Sequence, residues 1–86
     1  MDKLQKYRQQ IDEIDAKIIR LIARRFEVVK KISRLKQNRN LPMLDSERWR
    51  VLLGSRIKQA KTLKLNPHLI KKIYDEIHKF ILNTKD

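Results

Sequence analysis

The sequence has no cysteine, one glycine and two prolines among its 86 residues. Without cysteine it has neither disulfides nor thiolate ligands for a metal ion. So little glycine and proline leaves few turns, which favours a few long helices over many short strands. No apolar run approaches the roughly 20 residues of a membrane-spanning helix, and the start of the sequence lacks the apolar stretch of a signal peptide. These absences predict a cytoplasmic protein with no membrane partner.

What is present is a mixture of 41% hydrophobic and 37% charged residues, which is typical of helical bundles. The length predicts a single domain over residues 1–86. The net charge of +12 argues for an anionic partner, either nucleic acid or a small polyanion. Charge alone does not choose between them, because lysines scattered through the last third of the chain are typical of a solvated surface.

Three helices account for nearly the whole chain, at about 2–37, 45–61 and 66–83. Asn residues and Pro42 mark the first connection, and Asp45 is a suitable N-cap for the second helix. Asn66 followed by Pro67 is a strong start signal for the third. Gly54 lies inside the second helix, where we expect a close packing point and no break.

The first helix carries an uninterrupted heptad of apolar side chains with one charged member, Arg25. We call these ten positions the seam; they are Leu4, Tyr7, Ile11, Ile14, Ile18, Leu21, Arg25, Val28, Ile32 and Leu35. An arginine in such a seam loses water while keeping its charge, which costs several kcal/mol unless an anion meets it. The anion is either a carboxylate such as Asp15 or Glu27 of a neighbouring helix, which would set the register, or a ligand.

A first helix of this length would extend roughly 50 Å, whereas a compact monomer of this size is only about 30 Å across. The simplest cover for its projecting half is a second copy of the same helix, so we expect an intertwined helical-bundle homodimer. If the two helices cross antiparallel near Ile18 or Ile19, Arg8 of one chain lies level with residue 30 of the other. That is between Arg25 and Lys36 of the partner.

Such a dimer would gather four cations in one pocket, since Arg48 follows the first connection and can reach the same region. Four fixed cations suit a small dianion, with an arginine on each carboxylate. Taken singly, Arg8 and Lys36 are ordinary solvent-facing residues, and Arg48 has Asp45 and Glu47 as nearby partners. His68 and His78 have no matching ligands, so no metal site is predicted, and no nucleophile and base stand together.

The order of residues resembles the all-helical chorismate mutases. The matching segments are YRQQIDEID (7–15), LIARR (21–25), ISRLK (32–36) and LPMLDSER (41–48), and the resemblance extends over essentially the whole chain. Its specificity lies in the spacing of Arg8, Arg25, Lys36 and Arg48, because the apolar positions alone fit any bundle. In that family, two long first helices cross in an intertwined dimer, and each site takes one arginine from the partner.

The resemblance implies a pericyclic Claisen rearrangement of chorismate to prephenate, with no cofactor, metal or covalent intermediate. Arg8 of the partner subunit and Arg25 would hold the two carboxylates, assisted by Arg48. Lys36 would donate to the ether oxygen as its bond breaks. Lys85 stands where a glutamine usually gives a second donor, and Ile81 replaces a small polar residue. Trp49 stands where many members have a glutamate that meets the ring hydroxyl, which leaves Asp45 or the backbone for that contact.

Two other functions remain open from the sequence. Isochorismate pyruvate lyases resemble the same scaffold and have an apolar residue near position 49. A basic helical dimer that binds nucleic acid is the alternative from a different class, with binding that weakens steeply with salt. That alternative gives no reason for the spacing of the four cations.

Overall fold

The computed structural model describes residues 2–83, and these residues form three helices and no strand. Helix α1 is Lys3–Asn38, α2 is Ser46–Thr62 and α3 is Pro67–Asn83. The predicted all-helical class with three helices is confirmed. Lys85, a predicted site residue, lies outside the described residues.

The chain divides into two compact units between Leu35 and Lys36. The first unit is the single helix up to Leu35. The second consists of the last turn of α1, the connection that follows it, and α2 packed against α3. No helix in residues 2–83 has the length and apolar character needed to cross a membrane.

The apolar side chains of the seam are exposed along the whole of α1. These nine side chains retain between 47% and 63% of their accessible surface. None of the residues of α1 is buried. The apolar face predicted from the heptad is therefore formed, and its apolar side chains remain largely exposed among the residues that the structure describes.

The last turn of α1 closes in a Schellman motif built on Asn40. This residue has a left-handed backbone (φ 55°), and the amide of Leu41 donates to the carbonyl of Lys36 at 2.8 Å. The amide of Asn40 donates to Gln37 at 3.2 Å. Asparagine tolerates this conformation better than most residues, so the local sequence suits the turn.

The end of α2 repeats the motif with a less suitable residue. Lys64 has φ 60°, the amide of Leu65 donates to the carbonyl of Ala60 at 2.8 Å, and that of Lys64 donates to Lys61 at 3.1 Å. A left-handed backbone costs an L-residue with a Cβ roughly 1–2 kcal/mol. The turn into α3 therefore stores strain at Lys64.

Replacing Lys64 by glycine is expected to raise the free energy of unfolding by about 0.5–1 kcal/mol. Glycine removes the steric cost of the left-handed conformation, and this gain exceeds the extra backbone entropy of the unfolded chain. Thermal melting followed by circular dichroism measures the change. Lys61→Gly is the matched control, because it places glycine at a helical position and should destabilise by ~1 kcal/mol. If both variants melted below the wild type, Lys64 would not be left-handed in solution.

The second unit is held by a short α2–α3 core. Leu52 and Ala60 are its buried side chains, and they are the only buried ones among the described residues. Helix α2 continues through Gly54, as expected, but no atom of the described residues lies within 4 Å of the position that a Cβ would occupy there. The expected close packing at Gly54 was therefore wrong, because this glycine faces open space in the single chain.

Candidate active site

Helix α1 presents two of the predicted site arginines in the first unit. Arg8 is exposed near its start. Arg25 is half-buried, and its Nη1 atom is shielded from solvent, whereas the other four arginines of the helix are exposed. A guanidinium keeps its charge wherever it lies, so Arg25 places a partly shielded positive charge within the apolar seam.

Lys36 is fixed at both ends by the connection that follows it. Its carbonyl accepts the amide of Leu41 at 2.8 Å, and its ammonium donates to the carbonyl of Met43 at 3.1 Å. The side chain is half-buried. An ammonium has three N–H donors, so one bond to Met43 holds the group in place and leaves two donors for a ligand.

Asp45 and Arg48 are placed by the N-terminus of α2. The carboxylate of Asp45 accepts the backbone amide of Arg48 at 2.9 Å, which confirms Asp45 as the predicted N-cap. Asn66 caps α3 in the same way, by accepting the amide of His68 at 2.9 Å. A carboxylate has about four lone-pair sites, so Asp45 retains acceptor capacity beyond its capping bond.

The side chain of Arg48 does not take the local partners that the sequence offered. Glu47 is bridged by Arg50 at 2.7 Å, and no described carboxylate lies within 4.0 Å of the Arg48 guanidinium. A cation in the first turn of a helix is opposed by the positive end of the helix dipole. An anionic ligand would remove this local conflict, since both the guanidinium and the helix end attract it.

Trp49 follows Arg48 and stacks on His78 of α3. The ring centroids are 4.0 Å apart and the ring planes are inclined by 16°. Both side chains are half-buried. Ile81, the next predicted site residue on α3, is half-buried as well. One connection and two helix ends therefore position Lys36, Asp45, Arg48 and Trp49 within the second unit.

Comparison with known proteins identifies the family. The family model described as "Chorismate mutase type II" matches residues 7–85. The chain belongs to this family. A "Chorismate mutase" of Methanocaldococcus jannaschii is 32% identical over 74 residues, which cover 86% of this chain and 75% of that protein. The resemblance to this family inferred from the sequence is confirmed.

Other relatives of this chorismate mutase family member are longer proteins. A "T-protein" of Enterobacter agglomerans is 35% identical over 71 residues, covering 83% of this chain and 19% of the T-protein. A "Bifunctional chorismate mutase/prephenate dehydratase" of Aquifex aeolicus is 36% identical over 66 residues, covering 77% and 17%. The chain thus spans about a fifth of the length of these relatives.

The second unit also contains a cavity that lies away from the predicted site residues. The cavity of about 180 Å³ lies at the other end of the α2–α3 hairpin, lined mainly by Leu63, Leu65, Ile70 and Tyr74. It contains none of the predicted site residues. No group of three or more potential metal ligands occurs within residues 2–83.

The contact of Trp49 with His78 was not predicted, because the sequence indicated only that His78 has no matching metal ligands. A signal existed in the hairpin register. Trp49 lies 13 residues before the end of α2 at Thr62, and His78 lies 11 residues after the start of α3 at Pro67. In antiparallel helices joined by a short connection, residues at similar distances from the connection lie nearly level. An antiparallel pairing of α2 and α3 centred near Lys64 would therefore have predicted that the two rings meet.

Proposed function

We propose that this protein is a chorismate mutase that converts chorismate to prephenate in the cytoplasm, as a step of aromatic amino-acid biosynthesis. The observation that carries the proposal is the fixed placement of Lys36, Asp45 and Arg48 by one connection, in a chain of the chorismate mutase type II family. The site uses no cofactor or metal, because a pericyclic shift needs only a held conformer and stabilised charge.

Substrate binding is proposed to rest on arginines. Arg25 and Arg8 of the partner subunit each bind one carboxylate of chorismate, and Arg48 assists. Guanidinium groups match carboxylates with two parallel hydrogen bonds, which fix orientation as well as charge. Holding both carboxylates selects the compact conformer in which the reacting carbon atoms meet, so that the bound substrate is ready to rearrange.

Transition-state stabilisation is assigned to Lys36. Negative charge accumulates on the ether oxygen as the C–O bond breaks, and the ammonium anchored to Met43 donates to that oxygen. Lys85 is proposed as the second donor. A single well-placed donor is worth about 3–4 kcal/mol, while a millionfold acceleration requires about 8 kcal/mol. Two donors and conformer selection together are sufficient.

The remaining site residues are proposed to shape the pocket. Asp45 has acceptor capacity for the ring hydroxyl of the substrate. Trp49 offers a flat aromatic surface and a single N–H donor, and it cannot accept a hydrogen bond. Ile81 adds apolar contact from α3. These assignments make Asp45 the main hydroxyl contact of the site.

We infer that the active form is an intertwined homodimer. The nine exposed apolar side chains of the seam form a stripe on α1 that only Arg25 interrupts, and soluble proteins rarely leave such a stripe uncovered. One chain buries only Leu52 and Ala60 among its described residues. Few side chains of one chain are thus fully removed from water, although apolar burial is the main favourable term in folding.

Sedimentation equilibrium tests the dimer. At micromolar concentration we expect twice the mass of one chain, because covering the seam supplies most of the apolar burial. Ile18→Lys places a charge in the middle of the seam. This variant should sediment with the mass of one chain, and the chain should lose its fold as the dimer dissociates. A well-folded wild-type monomer with a cooperative melting transition would contradict the dimer.

Loss of chorismate absorbance on addition of the protein tests the activity. We expect turnover that is faster than the spontaneous rearrangement by orders of magnitude, with prephenate as the product. The parallel reaction with isochorismate and pyruvate detection tests the second candidate, isochorismate pyruvate lyase, which the aromatic residue Trp49 favours. If neither substrate were turned over and the protein instead bound nucleic acid in a salt-sensitive way, the proposed enzyme function would be wrong and a basic nucleic-acid-binding function would take its place.

A further inference from the structure

The stacked pair of Trp49 and His78 is a feature that the proposed reaction leaves unexplained. Its rings are nearly parallel, with centroids 4.0 Å apart and planes inclined by 16°. The two residues come from different helices, and neither is buried. The pair therefore lies outside the buried α2–α3 core of Leu52 and Ala60.

The position of Trp49 relates the pair to the proposed site. Arg48 is the preceding residue, and Asp45 caps the same helix end by accepting the Arg48 amide at 2.9 Å. The backbone at this end is therefore fixed. The side-chain torsions of Trp49 are not fixed by the helix itself, and the stack on the His78 ring restrains them. A large flat side chain needs such a restraint to present a constant surface.

We propose that His78 is a positioning residue that holds the Trp49 indole as a ring-contacting wall of the chorismate site. The inference rests on the proposed function. The indole offers its carbon surface and a donor-only Nε1–H. Its main contribution is therefore contact with the unsaturated ring of the substrate and not stabilisation of charge. Loss of this contact should raise KM more than it lowers kcat.

His78→Ala, in the full chain, tests the proposal. We expect KM for chorismate to rise about three- to tenfold with kcat within about twofold, because an indole that is no longer held in place loses about one ring contact with the substrate. His78→Phe keeps a stacking ring and should restore KM to near the wild-type value. His68→Ala is the matched control, since it makes the same substitution on the same helix in an exposed residue.

A spectroscopic readout separates positioning from a general structural role. Trp49 is the only tryptophan of the chain, so its fluorescence reports on the stack directly. His78→Ala should change the emission of the free protein and reduce the change that prephenate induces. His68→Ala should leave both unchanged. Melting by circular dichroism shows whether the variants remain folded; if His78→Ala does not fold, His78→Gln is compared with His78→Phe.

The outcomes distinguish this inference from the proposed function. Equal KM values for His78→Ala and His68→Ala would overturn the role of His78 while wild-type turnover stands. The same holds if His78→Phe fails to restore the KM that is raised in a folded His78→Ala or His78→Gln. Absence of chorismate turnover by the wild type would overturn the proposed function and this inference with it.

Discussion

Arg25→Ala is expected to lower kcat/KM for chorismate by a factor of about 100 or more, comparable to the loss of a main oxyanion donor. Arg25 is the half-buried arginine of α1, with its Nη1 atom shielded from solvent. In the proposed site it binds a carboxylate that the reaction keeps in place throughout. Steady-state kinetics by chorismate absorbance measure the loss, and the dimer should remain folded.

Two variants separate binding of substrate from a structural role of Arg25. Arg25→Met keeps the length of the side chain without its charge, and an apolar isostere often improves a buried ionic register pair. We expect Arg25→Met to be as inactive as Arg25→Ala and at least as stable as the wild type. Arg24→Ala, in the neighbouring exposed arginine, should retain activity. If Arg25→Ala unfolded the protein while activity per folded dimer stayed constant, Arg25 would be a structural residue.

Mixing two inactive variants is expected to restore activity if the site is shared between subunits. Arg8→Ala and Arg25→Ala each damage both sites of their own homodimer. In a mixed dimer, one site carries both substitutions and the other carries neither, because each site takes Arg8 from one chain and Arg25 from its mate. With random exchange, half of the dimers are mixed, so about a quarter of wild-type activity should return.

The control for this experiment is a pair that acts within one chain. Arg25→Ala mixed with Arg48→Ala should not regain activity, because the proposed site takes both residues from the same subunit and every mixed dimer then has two damaged sites. Recovery in both mixtures, or in neither, would contradict the shared arrangement of Arg8 and Arg25. Activity is measured after exchange in mild denaturant and refolding.

Much of the helical architecture was visible in the sequence, because it depends on local signals. The heptad from Leu4 to Leu35 predicted α1, and the caps at Asp45 and Asn66 predicted the starts of α2 and α3. Periodicity and capping act over a few residues, so a sequence displays them directly. Lys64 shows the limit of such signals, since its left-handed backbone is set by the turn and not by the preference of lysine.

The candidate site was predictable only as a set of residues. The spacing of Arg8, Arg25, Lys36 and Arg48 indicated a dianion site, and the family match supports the class of protein. The anchoring of the Lys36 ammonium by Met43 had no signal in the pattern, because it depends on the path of the connection. Their joint geometry across two subunits stays a prediction.

What the sequence determined by itself was three helices, their caps and a charged break in an apolar seam, all of which follow from periods of a few residues. What only the tertiary structure decided was which separated side chains meet. The ammonium of Lys36 reaches Met43 across a connection, and Trp49 stacks on His78 across a hairpin. Such contacts depend on how the chain turns between helices, and turns such as the one at Lys64 are fixed by closure of the whole hairpin rather than by the residue that occupies them.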